Sequence, residues 1–137
     1  MITAYQIAIV SAGVFFLNGL ITGVWKYLQI EASEGARAHP YVDIAHRASL
    51  MYSFAAILIA VFVEISQLSN KVEIVATLAL VVYFALAIVT YMVHGYLGDT
   101  ENQLREITAI TRWFMWSLIA AEIGGFVVLF YGVLVAL

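Results

Sequence analysis

Four apolar runs, each long enough to cross a lipid bilayer, constrain this chain more than any other feature. They cover residues 7–27, 44–68, 74–97 and 113–137. A hydrocarbon core of roughly 30 Å takes about 20 helical residues at 1.5 Å each. None of the runs alternates with a period of two, so strands are not expected. The first run is not read as a secretory signal, because nothing basic precedes it and no small-residue cleavage site follows. The expected fold is all-α: an integral membrane up-down four-helix bundle in one domain, residues 1–137, with both termini on the same side. Its helices are predicted over about 3–30, 41–68, 71–98 and 104–137.

Composition excludes the soluble alternative. Of 137 residues, 64% are hydrophobic and only 11% charged, against about a quarter charged in soluble domains. A small soluble fold could not hide that excess. The absence of Cys removes disulfides, thiolate nucleophiles and thiolate metal sites. A net charge of −3 argues against a nucleic-acid partner.

The connections fix an orientation. Lys26, Arg37, Arg47, Arg105 and Arg112 fall on the side opposite the termini, and Lys71 alone falls on the terminal side. The positive-inside rule then expects the side rich in cations to be cytoplasmic and the termini outside, in an inner (plasma) membrane. Trp25, Trp113 and Trp116 lie towards the same side, as interfacial anchors do. Ser69, Asn70 and Lys71 are expected to turn the second helix into the third. Leu104, Ile107 and Ile110 recur at helical spacing within the last connection, which reads as a short interfacial helix.

Polar groups inside apolar spans are expensive, so they carry the functional information. Pro40 suits the first turn of the second helix, where its missing N–H does no harm. His46 follows on the next turn. His94 lies one turn before the end of the third helix, with Tyr91 three residues deeper. His46 and His94 are therefore expected at similar depth, with His39 at the cap or in the loop beside them. In the first helix, Ser11, Phe15, Asn18, Thr22 and Trp25 share a mixed polar and aromatic face. Glu122 lies near the middle of the fourth helix, where a carboxyl must be protonated and hydrogen-bonded or paired within the bundle. Blander readings stand beside these: histidines near helix ends are commonly interfacial, tyrosines form belts, and Asn18 is most simply glue between helices.

Three histidines without Cys suit zinc, copper or haem. Zinc or copper would need His39, His46 and His94 to converge. Haem needs one or two axial histidines and an apolar, aromatic wall. Two arrangements satisfy it: His46 and His94 both ligating, as in an electron-transfer cytochrome, or His46 alone, leaving an open position on iron.

The segment Ser33-Glu-Gly-Ala-Arg-Ala-His39 resembles the stretch that leads into the haem histidine of bacterial styrene oxide isomerases, and by itself nominates His39. The overall register nominates His46 instead. His46 and Tyr91 are 45 residues apart, the separation of the proximal histidine and the catalytic tyrosine in that family. The segment Ala87-Ile-Val-Thr-Tyr91 and the Gly23-Val-Trp25 end of the first helix are also similar to the family. Where the family has an asparagine six residues after the histidine, this chain has Tyr52. The resemblance implies a homotrimer with haem b, whose ferric iron acts as Lewis acid on a hydrophobic epoxide and yields an aldehyde. It implies catalytic roles for Tyr91 and Tyr52, iron ligation by His46, and a cofactor site of His46, His94, Asn18, Trp25 and Arg47. The competing expectations are a bis-histidine b-type cytochrome, with Glu122 or Arg112 assisting proton movement, and a non-catalytic accessory subunit of a larger membrane complex.

Overall fold

A computed structural model describes residues 2–137. It contains four helices, α1 (Ala4–Ala32), α2 (Pro40–Ile65), α3 (Asn70–Leu97) and α4 (Ala109–Ala136), and no strand among the described residues. Each is long and apolar enough to span a bilayer. The protein is an up-down four-helix membrane bundle.

Local chemistry sets the helix starts. Thr3 and Gln6 form a reciprocal capping box before α1. His39 caps α2, its Nδ1 accepting from Tyr41 N–H at 3.3 Å, and Pro40 takes the first helical position. Thr108 caps α4 through Thr111 N–H. At the far end of α3, Gly98 adopts a left-handed φ of 60° and donates its N–H to the His94 carbonyl. That conformation is strained for a residue with a side chain.

Three boundaries differ from expectation. α2 stops at Ile65, because the Ser66 hydroxyl accepts from Leu68 N–H and holds a turn there. Asn70 and Lys71 accordingly belong to the first turn of α3. The stretch before α4 is not an interfacial helix: residues 99–108 form turns and bends, and α4 begins only at Ala109. Leu104 and Ile107 are exposed on that loop. Three apolar residues at helical spacing are too few to outweigh the tie between Gln103 N–H and the Tyr41 hydroxyl described below.

Small side chains recur through the core, beside larger ones such as Ile59, Leu80, Phe84 and Leu129, and many large side chains face outward. Ala4, Ala8, Ala12, Phe15, Gly19 and Thr22 form the buried stripe of α1. Ala45, Ala56 and Ala60 of α2 and Ala76 and Ala87 of α3 are buried with them. Met51, Phe54 and Val75 are each about two-thirds exposed on the outside. Lipid solvates large apolar groups as well as a protein interior does, so helix association depends on close backbone approach through small residues. Trp113 and Trp116 are also outward, at 79% and 67% exposure. α1 packs chiefly on α2, and α4 on α3 and α2; among the described residues α1 and α4 do not meet.

Candidate functional site

The three histidines have three different surroundings, and ring chemistry separates them. His46 Nδ1 lies 2.8 Å from the carbonyl oxygen of Gly19, inside the α1–α2 contact. A carbonyl only accepts, so Nδ1 carries the proton and Nε2 the lone pair. The ring fits there because Gly23 has no side chain: a Cβ at that position would lie 2.9 Å from the imidazole. His94 Nδ1 lies 2.8 Å from Asp99 Oδ1, so Nδ1 carries a proton there too, and the ring when neutral keeps its lone pair on Nε2. His39 is reversed. Its Nδ1 accepts at the helix cap, so the neutral ring is protonated at Nε2, and the His39 backbone N–H donates to Gln29 Oε1 at 2.8 Å. His39 therefore closes the α1–α2 connection.

Aromatic packing links the histidine end of α2 to α3. Tyr41 is buried. Its ring stacks on Tyr91 at 6.0 Å and on His39 at 6.1 Å, and tilts against His94 at 5.3 Å. Its hydroxyl accepts from Gln103 N–H at 2.6 Å, which draws the α3–α4 loop across the bundle.

Beneath that loop is a cavity of about 750 Å³. Its polar rim carries His94, Asp99, Thr100, Gln103, Arg105 and Glu106. Its deeper wall carries Tyr52, Ala87, Tyr91, Phe114, Met115 and Leu118. Tyr52 stacks face to face on Phe84 at 4.2 Å, which fixes its ring beside the cavity. Outside the spans, the hydrogen bond from His94 holds the Asp99 carboxyl below its usual range. The result is a chamber with an apolar wall, two phenols and one imidazole, and two carboxylates and a guanidinium at its rim.

The expected site residues are thus partly gathered. Tyr52, Tyr91 and His94 line one cavity. His46 does not line it, and faces α1 instead. Asn18 donates its amide to Ser49 Oγ at 2.9 Å and approaches Met92 Sδ at 3.5 Å, joining α1, α2 and α3. Arg47 pairs at 3.0 Å with Asp43, which also binds Lys26 of α1. Trp25 lines a separate apolar groove of about 500 Å³ against α3, with Met92, Val93 and Tyr96. No three His, Asp or Glu side chains converge in metal-binding geometry among the described residues. Glu122 departs from both outcomes expected for it: its Oε1 is buried without a hydrogen-bond partner among the described residues.

Tyr41, Asp99 and Gln103 escaped the sequence reading. A glycine followed by Asp one turn after His94 was a usable signal, since Gly at a helix end announces a chain reversal. Nothing in sequence marked Tyr41, whose role depends on a contact 62 residues away.

No protein-family profile, curated protein or solved structure matches the chain.

Proposed function

We propose that the chain is a haem b-binding membrane enzyme that isomerises a hydrophobic epoxide, or a small molecule of that class, held in the α3–α4 cavity. One observation supports this reading above the others: Tyr52, Tyr91 and His94 line the same chamber, whose volume of about 750 Å³ falls in the range of small-molecule sites. The donor set fits the cofactor. His94 in its Nδ1–H form offers Nε2 to iron, with Asp99 behind it as metal-ligating histidines usually have. Phe114, Met115 and Leu118 supply an apolar wall, and Arg105 at the rim suits a carboxylate substituent. When bound, ferric haem supplies a Lewis acid towards a substrate oxygen.

The chain's own residues do the rest. The phenols of Tyr91 and Tyr52 donate hydrogen bonds to the substrate oxygen and orient it. The apolar wall keeps out water, which would otherwise open the ring to a diol. The resemblance adds a homotrimer, and the distribution of cations adds an inner-membrane orientation with the cavity mouth in the cytoplasm.

The test is an absorption spectrum of the purified protein, with and without reductant. A Soret band is expected in the wild type and in His39→Ala, and its loss in His94→Ala. A wild type without the band ends the haem reading. A band lost in His46→Ala but kept in His94→Ala moves the iron to the α1–α2 face and ends the cavity assignment.

A further inference from the structure

We infer that Asp99 is a positioning residue, which holds His94 as the Nδ1–H tautomer so that Nε2 is the electron-pair donor of the cavity. The inference rests on the proposed site only for what Nε2 then does; the tautomer itself follows from the contact between the two side chains.

The geometry requires the chain to reverse. On a continuous helix, residues five apart are about 140° apart around the axis and do not meet. Asp99 reaches His94 because α3 ends between them. Gly98, at a φ of 60°, turns the chain back, and Asp99 Oδ1 comes to 2.8 Å from His94 Nδ1. The ring also packs against Tyr41, at 5.3 Å between centroids. One edge is thus tied to a carboxylate while a neighbouring aromatic limits rotation. The His94 side chain is 23% exposed, and both residues line the cavity.

A carboxylate accepts and does not donate, so it selects the proton on Nδ1. An unconstrained neutral imidazole side chain favours the proton on Nε2, which would leave no lone pair there for a ligand. Asp99 therefore reverses the intrinsic preference. In an enzyme that binds iron it also raises the basicity of the ring, and in one that does not it leaves Nε2 as a general base.

The tautomer can be read without any activity. The chain has three histidines, so ¹⁵N-histidine spectra of the full-length protein in lipid discs are resolvable, with His94→Ala assigning the signal. At a pH where the ring is neutral, wild-type His94 is expected to show a protonated Nδ1 and an unprotonated Nε2. Asp99→Ala is expected to lose that signature in favour of the Nε2–H form. Asp99→Asn, nearly isosteric but able to donate its amide N–H to Nδ1, is expected to lose it too, while Asp99→Glu, whose carboxylate only accepts, is expected to keep it, a pattern that a general loosening of the loop does not explain. A wild-type ring protonated at Nε2, or shifts unchanged in Asp99→Ala, overturns the inference. Protein lacking a Soret band but showing the tautomer exchange loses the haem reading and keeps the positioning role. In haem-loaded protein, Asp99→Ala is further expected to raise the midpoint potential, because a less basic ligand stabilises ferric iron less; an unmoved potential removes His94 from the iron.

Discussion

The two halves of the bundle are made from the same kind of helix and differ in packing at the histidine end. α1 and α2 meet along a seam of small residues, and every polar group named there has a partner: Asn18 with Ser49, His46 with Gly19, and Lys26 and Arg47 with Asp43. α3 and α4 stand apart around the cavity at the loop end. The two buried side-chain oxygens without partners among the described residues, Thr77 Oγ1 and Glu122 Oε1, both belong to this half. The contrast follows from side-chain size. Ala and Gly along α1 let backbones approach, whereas Phe114, Met115 and Leu118 on α4 hold its loop end off. The first half is a clamp that fixes the frame, and the second is where a ligand can enter.

Substitution at Gly19 strikes the clamp hardest. A Cβ there would lie 2.6 Å from Leu50 Cδ2 and 3.4 Å from the Leu50 backbone nitrogen. Gly19→Val should therefore cost about 2–3 kcal/mol, as overpacking does, measured by unfolding in mixed micelles. A variant as stable as the wild type would show that the seam is loose.

Tyr91→Phe tests the open half. It should weaken binding or turnover of an epoxide about tenfold, through one lost hydrogen bond of about 1.5 kcal/mol. Unfolding should shift by no more than about 0.5 kcal/mol. An equal loss of stability would make Tyr91 a packing residue and dissolve the contrast.

Glu122→Leu should stabilise the protein by about 1 kcal/mol, because it removes a buried polar atom that no neighbour satisfies. Destabilisation instead would mean that the carboxyl acquires a partner in the assembled protein. Asn18→Ala, in the satisfied half, should do the opposite, costing about 0.6 kcal/mol for one hydrogen bond within a membrane. Both changes are read in the same unfolding experiment.

The smallest effect concerns pH. The hydrogen bond from His94 depresses the Asp99 carboxyl below its ordinary value of 3.8. A depressed carboxylate contributes its stabilisation fully above that ordinary value and loses it as pH falls through the lowered one. A nitroxide label at Glu101 should therefore keep constant mobility from about pH 7 to pH 5 and gain mobility only below about pH 4. In Asp99→Asn that transition should vanish. Loosening already at pH 6 would assign the loop's hold to a different group.

Much of the frame was legible in one dimension. Pro40 marked the start of α2 because proline tolerates only the first turn, and His39 took the adjoining cap. The mixed face of α1 proved to be its inner one, with Phe15 and Thr22 buried and Asn18 reaching two other helices. The site was legible only in part. The spacing that joined His46 to Tyr91 counted residues along the chain and carried no information on which way each helix is rotated. The structure turns His46 to Gly19 and brings His94 to the Tyr91 cavity. Leu104 and Ile107 misled for a related reason: the loop that holds them is fixed by Tyr41, far away in sequence.

The sequence alone determined the number of spans, their antiparallel order and the grouping of all three histidines at one end, because apolar length and polar position are properties of each segment taken singly. Only the tertiary structure decided which histidine meets which tyrosine. Each helical residue advances about 100° around its axis. The rotation that chooses a facing partner is therefore settled by how small residues let neighbouring backbones approach.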